Sequence, residues 1–349
     1  MITSYMKYGA LSAKVRAMYG KRLRSADFEH MASLTDPRDV LEYLRAQPGW
    51  TAAVAALSAD RGYVGRAELE EALRRQVSHD YAALVHFVPK ADKAIVSFPV
   101  RLAELSEIMT ALRRLKSGGD AAPAAPEYES ALKIDQAAMR TCTNYTALVN
   151  AAKGSIYYTP LTSLRPDQSG GLPDYPMAEA ILQSAYFSHL YKTVHQNYAG
   201  ETKRVLLRAF GEQVDLLNLI HLLRIKTYFP DEMAFRSTLF PFSYKLTDDK
   251  MKTLSAAAGV EEVFALLSDT PYAKAFENLS HTAAGVEEYY RRAFYRFNKG
   301  QLAAGEPSVY TAVAYLNLKE LELQALVHLV ECVKYGVRYD GIFAHLTGG

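Results

Sequence analysis

The chain has 349 residues, 49% apolar and 22% charged, a composition typical of a globular protein with a large buried core. Lys and Arg exceed Asp and Glu by only two, so net charge does not predict a nucleic-acid partner. Two cysteines outside any CxxC setting argue against a disulfide framework, and no apolar run is long enough to span a membrane. Because the first residues lack an apolar signal core, we expect a cytoplasmic protein.

The first predicted element is an amphipathic helix over residues 3–24. Apolar residues at steps of three and four predict its buried face: Tyr8, Leu11, Val15 and Met18. Lys7, Lys14 and Lys21 recur every seven residues on another face of the same helix. That basic face has two interpretations, a solvated surface or a docking surface for an acidic partner.

Two kinds of helix then follow, each of them three times along the chain. Amphipathic helices opened by acidic residues are predicted over 68–84, 179–194 and 287–298. Long apolar helices, which we call closing helices, are predicted over 102–116, 214–226 and 309–334. The best strand-like run, Ala94–Val100, is interpreted as a connection between helices. These patterns predict at least about 60% helix, well above the usual one-third.

Breaks rich in Pro and Gly divide the chain into similar thirds. Ser117–Ser130 is interpreted as a mobile connection, and Thr159–Pro176, with its prolines, as too broken for any helix. A fixed period of helical units predicts three copies of about 108 residues. The predicted organisation is helical repeat 1 (1–118), a flexible linker (119–130), helical repeat 2 (131–240) and helical repeat 3 (241–349).

The closing helices carry acidic residues at matching places: Glu104, Asp215 and Glu322. In the middle helix, polar residues recur every third position within an otherwise apolar segment: Asp215, Asn218, His221 and Arg224. A helix that is apolar on most sides is buried, so this polar stripe needs hydrogen-bond partners, for instance backbone groups at neighbouring helix ends. A ligand-binding role is the alternative.

No motif for catalysis is found in the sequence. Zinc-binding HExxH, the phosphate-binding glycine loops and the GxSxG nucleophile motif are all missing. Asp248-Asp249-Lys-Met-Lys252 begins like the magnesium-binding DDxxD of helical prenyl-chain enzymes, but Lys252 replaces the third carboxylate. We therefore expect no catalytic residue, no cofactor and no metal. The 24 tyrosines are instead typical of a protein rich in interfaces.

Three motifs together resemble the central-stalk subunit of V/A-type rotary ATPases, called C in prokaryotes and d in eukaryotes. They lie in Tyr5–Arg24, Asp215–Lys226 and Ala314–Glu322, in the order that the family shows. Ala325 departs from the family, in which Asn is common there, and bears on packing only. The motif residues that match are Tyr8, Arg16, Asp215, Asn218, Arg224, Tyr315, Lys319 and Glu322.

The resemblance implies an all-α, funnel-shaped protein of three similar helical bundles around a pseudo-threefold axis. Its expected partners are the rotor stalk of a soluble ATP-hydrolysing motor and a membrane ring of ion-carrying subunits, on the cytoplasmic face. Its expected role is to couple rotation to proton or sodium transport without an active site, a nucleic-acid partner or a membrane span. The alternative is a helical-repeat scaffold that binds proteins or peptides on a concave face. A helical enzyme with an unrecognised site is the third possibility.

Overall fold

The structure is a computed structural model that describes residues 2–55, 57, 65–119, 128, 131–164, 166, 171–229, 239–304 and 306–339. Within these residues helices account for 75% and no β-strand occurs, so the prediction of an all-α fold is confirmed. No helix in this part of the chain is long and apolar enough to cross a membrane. Most of the predicted linker, 119–130, lies outside the described residues.

Three short helices followed by two long ones occur in the same order three times. The first set is α2 Ser25–Ala32, α3 Pro37–Arg45, α4 Thr51–Ala55, α5 Arg66–Val85 and, after the short α6 Lys93–Val96, α7 Phe98–Ser117. The second set is α8 Gln136–Thr141, α9 Tyr145–Ala151, α10 Tyr158–Ser163, α11 Tyr175–Asn197 and α12 Gly200–Tyr228. The third set is α13 Asp248–Ala256, α14 Val260–Leu267, α15 Ala273–Phe276, α16 Ala283–Ala304 and α17 Val309–Tyr335. Helix α1, Ile2–Tyr19, precedes them all. The pseudo-threefold axis and the repeat boundaries stay predictions.

The chain forms two compact units, and unit 1 combines the described residues of 1–96 with those of 291–339. Its core is built by α2, α3, α4 and α5 around the C-terminal helix α17. Leu44 and Trp50 from the N-terminal part and Leu326 and Leu329 from α17 are fully buried there. Helix α17 is buried along most of its length because its apolar residues lie almost all round it.

Unit 2 comprises residues 97–123 and 128–290. Helix α7 packs against α8, α9 and α11, and α12 packs against α11 and α14. The C-terminal half of α12 supplies Leu219, Leu222 and Leu223 to a core shared with α13, α14 and α15, and all three leucines are fully buried.

Two predicted boundaries need correction. The first helix ends at Tyr19 and not near residue 24, because Arg24 already forms the N-cap of α2. The prediction that Thr159–Pro176 contains no helix was wrong, since α10 covers Thr159–Ser163. Pro160 lies in the first turn of α10, where backbone amides have no partner within the helix, so its missing N–H costs little there.

Candidate functional site

The C-terminal motif forms a buried charged cluster in unit 1. Oε1 of Glu322 accepts hydrogen bonds from Trp50 Nε1 at 2.5 Å and from the Leu23 amide at 3.2 Å. Nζ of Lys319, one turn earlier on α17, lies 3.9 Å from the same oxygen and 3.4 Å from the centre of the Trp50 ring. It also donates to the Gly49 carbonyl at 3.0 Å. The cluster thereby ties α17 to two segments near the other end of the chain.

Burial sets the chemistry of this cluster. Desolvation lowers the pKa of Lys319, and the nearby carboxylates Glu322 and Asp80 partly oppose that shift. Gly49 allows the close approach that the lysine needs. A Cβ at Gly49 would come within 2.6 Å of the Lys21 carbonyl oxygen and 3.4 Å of Lys319 Nζ. Any larger residue at this position would therefore push the segments apart.

A small pocket of unit 1 borders the cluster. Its lining is Met18, Tyr19, Arg22, Tyr315, Leu318, Lys319 and Glu322. Its volume of about 10 Å³ is enough for one water molecule and far too small for a nucleotide or a substrate. The Tyr315 hydroxyl donates to Asp80 at 2.5 Å, while burial raises the pKa of Tyr315 far above its usual range. The pocket is therefore a packing feature between α1 and α17.

The middle motif forms a second buried cluster, in unit 2. The Asp215 carboxylate is 1% exposed and accepts from three successive amides, Tyr244 at 2.9 Å, Lys245 at 2.7 Å and Leu246 at 3.2 Å. The Tyr272 hydroxyl adds a fourth hydrogen bond at 3.0 Å. Desolvation raises the pKa of Asp215, and these hydrogen bonds work against the shift.

Asn218 extends this cluster by one turn of α12. Its side chain pairs with both backbone groups of Phe240, accepting at 2.8 Å and donating at 3.2 Å. Gly211 lies on the same helix, where an added Cβ would come within 2.5 Å of the Tyr244 ring. Asp215 and Asn218 of the polar stripe thus bind backbone groups, as the structural interpretation predicts, in the irregular segment 239–246 before α13. Arg224 of the same stripe instead pairs with Glu287.

A third cluster surrounds Glu104 on α7, also in unit 2. The fully buried Glu104 accepts from Arg101 at 2.6 Å and from the Lys133 amide at 2.5 Å. Arg101 donates to the Ala131 carbonyl at 3.0 Å, and its own carbonyl accepts from the Tyr157 hydroxyl at 2.6 Å. The motifs in the sequence do not include Arg101. The available signal was a cation three residues before the acid, as in Lys319 and Glu322.

The three clusters share one plan. Each joins the acid of a closing helix to backbone amides just before the first short helix of the following set. Each also has a buried aromatic residue immediately before the third short helix of that set: Trp50, Tyr157 and Tyr272. For α17 the following set is the first one, so the order of attachment is cyclic.

The remaining motif residues lie apart from these clusters. Tyr8 donates to the buried Asp92 at 2.9 Å, and Lys7 forms an ion pair with the same carboxylate at 2.9 Å. Arg16 is exposed on α1. Arg224 is exposed at the end of α12 and pairs with Glu287 at 2.7 Å. The structure therefore brings together Tyr315, Lys319 and Glu322 in unit 1 and, separately, Asp215 and Asn218 in unit 2.

The three clusters have their carboxylates occupied by protein donors. In the part of the chain that the structure describes, no three His, Cys, Asp or Glu side chains are grouped closely enough to hold a metal ion. At the DDxxD-like segment, Lys252 forms an ion pair with Asp249 at 2.9 Å. What the clusters offer chemically is a fixed position for each closing helix, because a buried carboxylate with several donors resists displacement.

Comparison with known proteins adds one finding. The family model described as the ATP synthase (C/AC39) subunit matches residues 11–343. No curated protein matches the sequence. The matched span includes the three clusters and every motif residue except Tyr8.

Proposed function

The chain belongs to the ATP synthase (C/AC39) subunit family, and from this membership we propose that it is the non-catalytic central-stalk connector of a V/A-type rotary ATPase. The connector seats the rotor stalk of the soluble ATP-hydrolysing motor on the membrane ring of ion-carrying subunits. It lies on the cytoplasmic face and couples rotation to proton or sodium transport. The observation that carries the proposal is the family match over residues 11–343.

The buried clusters support a mechanical role. A part that passes torque between two partners has to keep its helices in place under load. Glu104, Asp215 and Glu322 each hold a long helix by several hydrogen bonds in a low-dielectric interior, where loss of one partner is costly. These hydrogen bonds make each long helix resist displacement, and this mechanical role requires no reactive group.

The recurring order of helices supports the proposed three bundles, 1–118, 131–240 and 241–349. Each set has its own acid cluster, and α17 attaches to the first set through Leu23 and Trp50. A chain whose last helix packs against its first helix set is suited to form a closed, quasi-symmetric body. The funnel shape and its pseudo-threefold axis are part of this proposal.

Removal of the subunit tests the coupling role. Membranes that lack the chain should release a motor that still hydrolyses ATP, whereas ATP-driven ion uptake into vesicles is lost. Adding back the purified chain should restore uptake. A chain with Lys153→Glu, an exposed change in unit 2, serves as the add-back control and should restore uptake equally. Vesicles that pump normally without the chain would show that it is no coupling element.

Calorimetry tests the non-catalytic part of the proposal separately. The purified chain should give no saturable heat with ATP and Mg²⁺, and its melting midpoint should not move, because only binding to the folded state shifts that midpoint. A stoichiometric micromolar nucleotide site would contradict a purely mechanical subunit.

A further inference from the structure

Helix α1 lies outside the repeated order of helices and keeps one face uncovered. It packs on α17 and α5 through Tyr8, Leu11 and Val15, which are buried. Met6 is 83% exposed and Tyr5 is 56% exposed, although both are large apolar side chains. The residues of α1 and of its end that are exposed on the opposite side are Tyr5, Met6, Ala10, Ala13, Arg16, Ala17 and Gly20. Among the residues that the structure describes, none covers this face of α1.

The charged residues in the segment that contains this face have one sign. No Asp or Glu precedes Asp27, whereas the same stretch holds six basic residues: Lys7, Lys14, Arg16, Lys21, Arg22 and Arg24. Lys7 is held by Asp92 at 2.9 Å, and the Arg22 guanidinium lies 4.2 Å from the centre of the Tyr19 ring. By helical spacing, Arg16 borders the exposed face on one side and Lys14 on the other. Lys21 is exposed two residues after the end of α1, and Arg24 belongs to the N-cap of α2.

These observations decide the kind of partner. The basic borders require negative charge opposite them, since complementary charges orient two surfaces and raise their rate of association. Between the borders, Ala13 and Ala17 let a helix backbone come close. The same alanines offer little apolar area, and membrane binding depends on that area together with charge. An acidic protein helix therefore fits this face better than an anionic membrane does.

We propose that the exposed face of α1 binds an acidic α-helix of a protein partner, which under the proposed function is another subunit of the rotary complex. Arg16, Lys14 and Lys21 pair with carboxylates on either side of that helix. Met6 and Tyr5 cover its apolar residues at one end.

Site-specific crosslinking in the intact complex tests the inference. A photoreactive residue replaces Ala17 on the proposed face or, as the matched control, the exposed Ala82 on α5. Complexes are purified through a tag on the full-length chain, and crosslinked peptides are identified by mass. We expect the Ala17 variant to crosslink to a helical segment with more acidic than basic residues, and the Ala82 variant not to reach that segment. Crosslinks only to lipid, to an acid-poor segment or to nothing would overturn the proposal.

Charge reversal provides the quantitative measurement. Arg16→Glu with Lys21→Glu should weaken binding of the crosslinked partner by about tenfold at low salt, and less at high salt. Lys153→Glu with Lys192→Glu, exposed positions in unit 2, should leave binding unchanged. Equal loss in both variants, or no loss in either, would contradict the inference. Both variants should retain wild-type Trp50 emission and helix content.

Binding to vesicles tests the alternative that the exposed face of α1 binds a membrane. The purified chain should not float with vesicles of neutral and anionic phospholipid, and flotation that Arg16→Glu with Lys21→Glu abolishes would assign the face to lipid and overturn the proposal. Failure of the proposed connector function would be detected separately from failure of this inference. In that case the purified complex would lack rotary ATPase subunits, while the crosslinks from Ala17 would still decide whether α1 binds an acidic helix.

Discussion

The Glu322 cluster of unit 1 and the Asp215 cluster of unit 2 hold equivalent helices by different means. Glu322 receives its donors on one oxygen, Oε1, and has the buried Lys319 beside it. Asp215 uses both oxygens and is held by three amides and the Tyr272 hydroxyl. At the position where α17 has Lys319, α12 has Glu212, which pairs with Lys245 at 2.6 Å. A buried acid can thus be stabilised by a cation or by backbone dipoles at the same place in a helix set.

The two clusters also differ in how much chain they connect. Asp215 binds residues between 29 and 57 positions away, all within unit 2. Glu322 binds Leu23 and Trp50, which are 299 and 272 residues away. Since ordering distant segments costs more chain entropy, we expect the Glu322 cluster to form later than the Asp215 cluster.

The largest expected effect comes from a charge placed in one core only. Leu223→Asp introduces an unpaired carboxylate at a fully buried position of unit 2 and should cost at least about 4 kcal/mol of unfolding free energy. Leu217→Asp, on the same helix but half-buried, is the control and should cost less. Trp50, the single tryptophan, lies in unit 1. We expect the circular dichroism midpoint to fall in Leu223→Asp, while the Trp50 emission midpoint is kept.

A joint loss of both signals would show that the two units unfold as one, and it would remove the basis for treating them separately. In the assembled motor, Leu223→Asp should abolish ion pumping while ATP hydrolysis by the detached soluble part continues. Pumping at the wild-type rate by a complex that contains this variant would contradict the prediction.

The next effect separates the two ways of holding an acid. Asp215→Asn places an NH₂ group against at least one backbone amide, because both carboxylate oxygens accept from amides, and should cost about 2–3 kcal/mol. Glu322→Gln can keep its carbonyl oxygen at the Oε1 position and should cost about 1 kcal/mol. Urea unfolding of both variants measures the difference, and a larger loss in Glu322→Gln would mean that the Lys319 charge dominates its cluster.

A smaller effect is expected from the aromatic partners. Trp50→Phe removes a hydrogen bond to Glu322 and weakens the contact with the Lys319 ammonium, so we expect a loss of about 1–2 kcal/mol. Tyr272→Phe removes one of the hydrogen bonds to Asp215 and should cost about 1 kcal/mol. Thermal melts followed by circular dichroism compare them, and identical losses would argue against any contribution from the ring of Trp50.

The smallest effect is a pH dependence in unit 2. Burial, assisted by nearby cations, lowers the pKa of His189 and His221 below 6.5. The unfolded chain then binds protons more readily than the folded one in the range just below pH 6.5. The stability that the two neutral histidines contribute is fully present above that range. The unfolding free energy then falls as the pH drops through it. His189→Gln with His221→Gln should flatten this slope, whereas the exposed His195→Gln should not.

Periodicity predicted more of the fold than of the clusters. The apolar steps of α1, α5 and α17 reveal which residues are buried, so helices and cores follow from local sequence. The sequence places Glu104, Asp215 and Glu322 at matching positions of the closing helices, but it does not predict their common role. Periodicity cannot show which groups those acids bind, because Trp50 and Glu322 come into contact only after folding has joined distant segments.

Short helices and the face of α1 show the same limit. The prolines of Thr159–Pro176 indicate disruption, but a helix as short as α10 tolerates proline in its first turn. Lys7, Lys14 and Lys21 share a spacing, yet Lys7 pairs with Asp92 and the other two do not contact that residue. A pattern along one helix cannot show which neighbour brings a carboxylate to one lysine and not to the next.

The pairing of Leu23 with Glu322 also has a consequence for how the protein is made. At typical rates of translation, about 5–20 residues per second, the 299 residues between them take roughly 15–60 seconds to emerge. During that interval the N-terminal bundle leaves the ribosome without the helix that fills its core. Its apolar surface, including Trp50, is then open to chaperones, and a message cut short before α17 yields a product that quality control can recognise.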